Sequence, residues 1–292
     1  MASVTSNPPV ASPLAGAVSP QATLRIEPPR HWFELRLGEL WLYRELLYFL
    51  VWRDVKIRYK QTAIGVSWVI IQPLLTMIVA TLFFGRLAKL PSQGLPYSVF
   101  CFAAIVPWTY FSTALANVTA VMVDNQRVIT KVYFPRLILP VSSALSGLVD
   151  FTIGFGVLLI FTFAHGIRPA WTLLLLPLFL LLAVFTVLGI GLWLSALNAL
   201  YRDVKYLTPF LLQFWMLASP VYYSSSMVPE RYRWVYGLNP MTGVIDGFRW
   251  GLTGTGHPPS SSLLASIVIV LLSVLGGLWF FNGMEVRIAD RV

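Results

Sequence analysis

Long apolar stretches separated by short polar segments dominate the chain. Six such stretches run over 66–85, 97–123, 137–164, 170–200, 206–228 and 260–284. Each has the roughly 20 residues that a helix needs to cross a bilayer, and Asp150 is the single acid or base inside any of them. The apolar positions do not alternate with a period of two, and the stretches are too long for barrel strands. We therefore predict an all-α membrane protein with six transmembrane helices.

An amphipathic segment at 35–60 precedes the first span. Near its end, Trp52, Val55 and Tyr59 fall on one helical face. Another face carries bases, namely Arg53, Lys56 and Lys60. This pattern is typical of a helix that lies along the inner membrane surface with its bases among lipid headgroups. We predict a cytoplasmic interfacial helix.

A second short helix is predicted before the last span, at 240–252. Asn239 is a favourable N-cap, and Pro240 suits the first helical position. A stripe with helical spacing follows, made of Met241, Val244, Ile245, Phe248 and Leu252. The run is too short to cross a bilayer, so we expect a re-entrant or interfacial helix on the outer side.

Composition excludes most classes of soluble protein. Of 292 residues, 57% are hydrophobic and 11% are charged, whereas an ordinary soluble domain is roughly 25% charged. A cytosolic enzyme, a secreted disulfide scaffold and a disordered regulator are thereby excluded. The single cysteine, Cys101, permits no intrachain disulfide. We assign the net charge of +9 to membrane orientation and anionic lipids rather than to nucleic acid.

Charge and proline content define the predicted organisation. Residues 1–30 are rich in proline and lack a signal-peptide pattern, so we expect a disordered tail that begins in the cytoplasm. With six spans, fifteen Lys and Arg then fall on the N-terminal side and six on the other, which places both termini inside. The predicted domains are the tail at 1–30, the interfacial helix at 31–63 and the six-span domain at 64–292.

The chain lacks the motifs of an energy-coupling enzyme. No lysine follows a glycine, so there is no phosphate-binding loop of the GxxxxGK type. The three histidines are scattered, and we expect neither a metal site nor a catalytic pair. Asp150 alone is too little for a proton relay. Energy for uphill transport is therefore expected to come from another subunit.

Several motifs together carry a family resemblance. The run from Arg53 to Trp68, followed by Gln72–Leu74, closely resembles the start of type 2 ABC permeases that export polysaccharides and polyol phosphates, including O-antigen, capsule and teichoic acid. Further similar segments follow in order at 106–108, 125–140, 201–206, 208–210, 219–222 and 239–240. The resemblance covers roughly residues 35–285.

The resemblance implies a bacterial inner-membrane homodimer with two separate nucleotide-binding ATPase subunits. A lipid-linked polysaccharide would pass between the two halves. ATP and Mg would be bound by the partner ATPase, so no cofactor is expected in this chain. The resemblance also implies coupling loops that contact the ATPase, with the alternative that they are simply solvated. Their residues are Asn125, Arg127, Lys131, Tyr133, Phe134, Arg202 and Asp203.

Two further sets are candidates for contact with substrate. Four bases before the first span could bind a lipid diphosphate as it enters, or could serve only to hold topology; they are Arg53, Lys56, Arg58 and Lys60. Most aromatics are expected to face lipid or to form aromatic belts at the membrane surfaces. Five aromatics near span ends could instead stack on sugars in a channel, namely Trp108, Tyr110, Phe111, Tyr222 and Tyr223.

Asp150 shares a helical face with small residues, namely Ser143, Gly147 and Gly154. Because small residues let helices approach closely, we favour a buried position with hydrogen-bond partners at a helix interface. The alternative is a place in the channel lining.

We conclude from the sequence that the chain is the permease of an ATP-driven exporter of a polyprenyl-diphosphate-linked polysaccharide. One alternative is an exporter of a small lipid or drug. A membrane glycosyltransferase would need more carboxylates on its loops. A secondary transporter would need inverted repeats, and the similar segments at 52–56 and 201–205 lie on the same predicted side.

Overall fold

The computed structural model describes residues 41–60, 65–168, 170–254 and 261–291. The predicted tail at 1–30 lies outside the described residues, as do 31–40 and 61–64 of the segments that follow it. Within the described ranges the regular elements are all helical. The predicted all-α membrane protein is therefore confirmed.

Five helices are long and apolar enough to cross a bilayer within the described ranges. Helix α2 (Val66–Ala80) continues through a π-helical turn (Thr81–Leu87). The others are α3 (Tyr97–Asp124), α5 (Ile138–Ala164), α6 (Leu176–Leu200, preceded by a 3₁₀ turn at Trp171–Leu175) and α10 (Ser261–Arg291). These five correspond to five of the six predicted spans.

The sixth predicted span, at 206–228, holds a shorter helix. Helix α7 (Val204–Ala218) has 15 residues, or about 22 Å, against the roughly 30 Å of a hydrocarbon core. It ends where Ser219 turns to an extended conformation before Pro220, because a residue that precedes proline is disfavoured in a helix. The apolar run continues past this break, so hydropathy alone overestimates the length of the helix. The count of six helical spans is not confirmed.

Helix α3 is the centre of the bundle. In its most apolar stretch 78% of residues are buried, against 17% in the equivalent stretches of α2 and α10. Helices α5 and α6 pack along it, and small side chains allow them to approach closely. Gly147 of α5 lies against the Tyr110 ring, and Gly191 of α6 lies against Val118.

Helix α9 (Pro240–Thr253) confirms that a helix precedes the last span, whereas its position on the outer side of a membrane stays a prediction. The Asn239 side chain accepts a hydrogen bond from the backbone N–H of Met241, and Gly254 ends the helix with a φ of 65°. The predicted apolar stripe is fully buried. Helices α3, α6 and α10 cover this helix. Protein therefore surrounds more of its surface than the single apolar stripe predicted. Before it lie two 3₁₀ turns and the short α8 (Arg233–Tyr236).

Helix α1 (Arg44–Lys60) packs against α5. Its buried side chains are Leu50 and Val55, whereas Trp52, which the pattern placed beside Val55, is exposed. Its position at a membrane surface stays a prediction. The short α4 (Gln126–Ile129) follows α3 and lies within the predicted first coupling loop.

Candidate functional site

The C-terminal half of α1 brings two arginines onto partners from other helices. Arg53 donates to Asp54 Oδ1 from Nε at 3.0 Å and from Nη2 at 2.7 Å. Its Nη2 also donates to Asn125 Oδ1 at 2.8 Å. Asn125 follows the last residue of α3, and its own Nδ2 donates to the Val121 carbonyl at 2.9 Å. Arg53 therefore ties α1 to the junction between α3 and α4.

Five residues further along α1, Arg58 forms an ion pair with Asp150 of α5. The other carboxylate oxygen of Asp150 accepts a hydrogen bond from the Tyr59 hydroxyl. Burial, followed by this hydrogen bond to Asp150, raises the pKa of Tyr59 above its ordinary value, so the phenol remains protonated and donates. Asp150 thus lies at an interface between α1 and α5 and has two partners from α1.

A cavity of about 530 Å³ lies next to this cluster, between α1, α2, α3 and α5. Its polar lining includes Arg58, Tyr59 and Asp150, and its apolar walls include Val106 and Phe151. Asp150 therefore lies at a helix interface, as favoured, but it is partly exposed and faces this cavity rather than being buried. A place in a channel lining stays a prediction. The cavity is lined by residues of α2 from its first two turns, beside the start of the first span.

The four predicted diphosphate ligands divide into two pairs. Arg53 and Arg58 are partly buried and contact the protein, whereas the side chains of Lys56 and Lys60 are exposed. The structure brings Arg58 to the cavity and directs Arg53 to Asn125 instead. A role for the four bases in phosphate binding stays a prediction.

The two predicted coupling loops lie side by side. Lys205 Nζ is 3.7 Å from Asp124 Oδ1, and Asn198 holds the second loop through two hydrogen bonds. Its Nδ2 donates to the Thr119 carbonyl at 3.0 Å, and its Oδ1 accepts from the Lys205 N–H at 3.0 Å. Asn198 was not predicted from the sequence, because nothing in its local pattern distinguishes it from other polar residues.

Exposure separates the predicted coupling residues further. Asn125 is partly buried, and Phe134 is packed against the core near Leu50. The others are exposed and form a mixed basic and aromatic surface on adjacent loops: Arg127, Lys131, Tyr133, Arg202 and Asp203. Contact between this surface and an ATPase stays a prediction.

The five candidate channel aromatics occupy two environments. Trp108, Tyr110 and Phe111 are at most 4% exposed and pack inside the bundle. Tyr110 also lines the cavity beside Asp150, whereas Trp108 and Phe111 would have to leave this packing to contact a passing sugar. Tyr222 and Tyr223 are half-buried at the break after α7, where the Tyr222 ring stacks on Phe84 at 4.9 Å. A channel role for any of the five stays a prediction.

Arg249 of α9 is a structurally important residue that was not predicted from the sequence. It is 2% exposed, and its Nε donates to the Phe100 carbonyl at 3.1 Å. Its Nη2 donates to the Val221 carbonyl at 2.9 Å and its Nη1 to the Tyr223 carbonyl at 3.4 Å. Asp246, three residues earlier, lies 3.8 Å away. The Asp-x-x-Arg spacing within an apolar helix was the available signal.

The break after α7 is held by these and neighbouring hydrogen bonds. The Tyr97 hydroxyl donates to the Tyr222 carbonyl at 2.6 Å, so each of the three consecutive carbonyls 221–223 accepts from a side chain. Non-helical backbone at membrane depth is tolerated only where protein or water satisfies it. Arg249 and Tyr97 supply those donors here.

Comparison with known proteins places these features in a family. The model of the ABC-2 type transporter family matches residues 45–253, which include α1 from Glu45 onward, the cavity and both loops. The O-antigen export system permease protein RfbA of Myxococcus xanthus is 30% identical over 238 residues, 80% of this chain and 91% of that protein. A protein of the same name from Klebsiella pneumoniae is 27% identical over 248 residues, 84% of this chain and 94% of that protein. On this match, the chain belongs to the ABC-2 type transporter family.

Proposed function

We propose that the chain is the permease subunit of an ABC exporter that moves an O-antigen-type polysaccharide linked to a polyprenyl diphosphate. The observation that carries the proposal is the similarity of at least four-fifths of the chain to permeases named for O-antigen export. Membership of a transporter family gives the class, and these relatives give the cargo.

The cluster on α1 supports the lipid diphosphate. Four bases lie within eight residues, directly before the first span, and Arg58 borders a cavity with apolar walls. A guanidinium donates two parallel hydrogen bonds to phosphate oxygens, and such charge-assisted bonds are stronger than neutral ones. A polar head above an apolar cavity matches the two parts of a lipid diphosphate.

The exposed loops support a separate ATPase. The surface made by Arg127, Lys131, Tyr133, Arg202 and Asp203 joins bases, one acid and a large aromatic, and it belongs to two loops connected through Asp124 and Lys205. Aromatic and arginine side chains are enriched at protein interfaces. We propose that ATP and Mg are bound by the partner that docks here.

Passage of a polymer calls for a second copy of the chain. Helix α7 exposes a face of large apolar residues, including Phe210, Phe214 and Leu217. This face is available to lipid or to another copy, and we propose a homodimer in the bacterial inner membrane with both termini in the cytoplasm. The excess of Lys and Arg on the N-terminal side supports that orientation.

The proposal is tested in cells that lack the chain. Surface polysaccharide should be lost while its lipid-linked form accumulates inside, and expression of the chain with its ATPase should restore export. Normal surface polysaccharide, together with retention of a small lipid or drug, would contradict the proposed cargo and support the alternative exporter.

A further inference from the structure

The cavity beside Arg58 combines a charged rim with apolar walls. Its rim holds Arg58, Tyr59 and Asp150, and Val69, Pro73 and Phe151 belong to its walls. At about 530 Å³, it falls within the roughly 300–1,000 Å³ of ordinary ligand sites. Its volume and its division into a polar and an apolar part are those of an amphipathic ligand site.

The cavity is reached from the side of α2. Trp68, in the first turn of α2, is 56% exposed, and Gln72, one turn later, is exposed as well. Both also line the cavity, so this wall is accessible from outside the chain. A lipid in the membrane leaflet next to the start of α2 could therefore reach the cavity without crossing the bundle.

The Arg58 guanidinium is held by a carboxylate rather than buried in a fixed core. Its side chain is 28% exposed and that of Asp150 is 19% exposed. Tyr59 donates to the other oxygen of Asp150, so the carboxylate retains one partner when Arg58 leaves it. Because a carboxylate and a phosphate accept from the same guanidinium fork, they compete for Arg58.

We propose that the cavity receives the lipid end of a polyprenyl diphosphate, and that Asp150 occupies Arg58 until the diphosphate replaces it. The proposal rests on the proposed function for the identity of the cargo. It adds a defined site and assigns Asp150 as an internal competitor that keeps the site closed to weaker anions.

Charge favours a diphosphate over an ordinary anionic phospholipid. The last eight residues of α1 carry Arg53, Lys56, Arg58 and Lys60 against the single acid Asp54. After Asp150 is also counted, two positive charges remain at this end of α1, where Arg58 lines the cavity and the other three bases lie beside it in sequence. They suit the multiple charges of a diphosphate better than the single charge of phosphatidylglycerol.

The test uses the full chain in nanodiscs of neutral lipid, without ATPase, and geranylgeranyl diphosphate as the probe. Arg58→Ala should weaken binding about tenfold or more, and Arg58→Lys should recover only part of it. Asp150→Asn should tighten binding roughly tenfold, because the competing ion pair is gone. Arg231→Ala removes one exposed cation far from the site in sequence and serves as the matched charge control, with unchanged affinity.

The opposite result for Asp150 would overturn the proposal. If Asp150→Asn binds the probe as weakly as Arg58→Ala, the ion pair only holds α1 in place. Equal affinity for geranylgeranyl diphosphate and for phosphatidylglycerol would identify an ordinary phospholipid site and also contradict it. Melting temperatures of all variants show whether a lost affinity reflects a lost fold.

The two proposals fail in different ways. If the proposed cargo is wrong, cells that lack the chain still carry normal surface polysaccharide. Failure of the Asp150 mechanism appears in nanodiscs as an unchanged or weakened affinity in Asp150→Asn, even when polysaccharide export depends on the chain.

Discussion

Asp150 shares its carboxylate between Arg58 and Tyr59, whereas Arg249 shares its guanidinium among three backbone carbonyls. The two arrangements differ in burial. Asp150 and Arg58 are partly exposed and border a cavity, so their contact can exchange. Arg249 is enclosed, and two of its three acceptors, the Val221 and Tyr223 carbonyls, lie outside the helices, whereas the Phe100 carbonyl belongs to α3. The first arrangement suits a ligand site and the second a structural anchor.

Replacement of Arg249 should therefore destabilise the fold. Arg249→Met leaves the Val221 and Tyr223 carbonyls without the donors that it supplies and Asp246 without its cation, and loss of one partner of a buried pair costs about 3–5 kcal/mol. Asp246→Asn in the same chain should restore part of the loss. The midpoint of denaturation in detergent micelles measures it.

Arg233→Met is the matched control. Arg233 pairs with the exposed Glu230 at 3.4 Å, and such a surface pair is worth about 0–1 kcal/mol. Equal denaturation midpoints for Arg249→Met and Arg233→Met would refute the anchoring role.

Close packing of α9 against α6 depends on a glycine. A Cβ at Gly247 would lie 2.2 Å from the Phe179 ring, which is too close for any real contact. We expect Gly247→Ala to lower the free energy of unfolding by about 1–3 kcal/mol through overpacking. Gly156→Ala in α5 is the control, because a Cβ there meets nothing within 4 Å. A Gly247→Ala chain as stable as the control would show that α6 and α9 are less tightly packed.

The loop at 125–136 should contact the ATPase. Cysteines placed at Arg127 and Lys131, both exposed, should cross-link to cysteines on the partner, whereas one at the exposed Glu230 should not. The single native cysteine, Cys101, is buried and gives little background. Labelling of 127 and 131 only from outside the cell would reverse the proposed orientation.

Elements with local signals were predicted well from the sequence. The Asn239 cap, Pro240 and the apolar stripe defined α9 because all three act within one helix. The break at Ser219 was missed, since an apolar run hides a change from helix to extended backbone. The contact between Arg58 and Asp150 joins residues 92 apart, and no local pattern encodes it.

At the scale of the whole molecule, the number of crossings decides where the C-terminus lies. Helix α7 covers about 22 Å, and turns and bends follow it at 219–223, so a crossing by this segment would not be helical throughout. The excess of Lys and Arg on the N-terminal side favours two inside termini. We predict that fusions before residue 235 and after residue 256 are both external and that both termini are internal. Reporter enzymes that are active on only one side of the membrane measure the position of each fusion. Termini on opposite sides would show five crossings.

We propose that this family member moves a lipid-linked polysaccharide with energy from a separate ATPase. The most direct measurement is uptake of polyprenyl-diphosphate-linked polysaccharide into proteoliposomes that contain the chain and its ATPase, scored as glycan protected from added glycosidase. We predict protection only when the chain, the ATPase and ATP are all present, and no ATP hydrolysis by the purified chain. Protection without the ATPase, or ATP hydrolysis by the chain alone, would contradict the account.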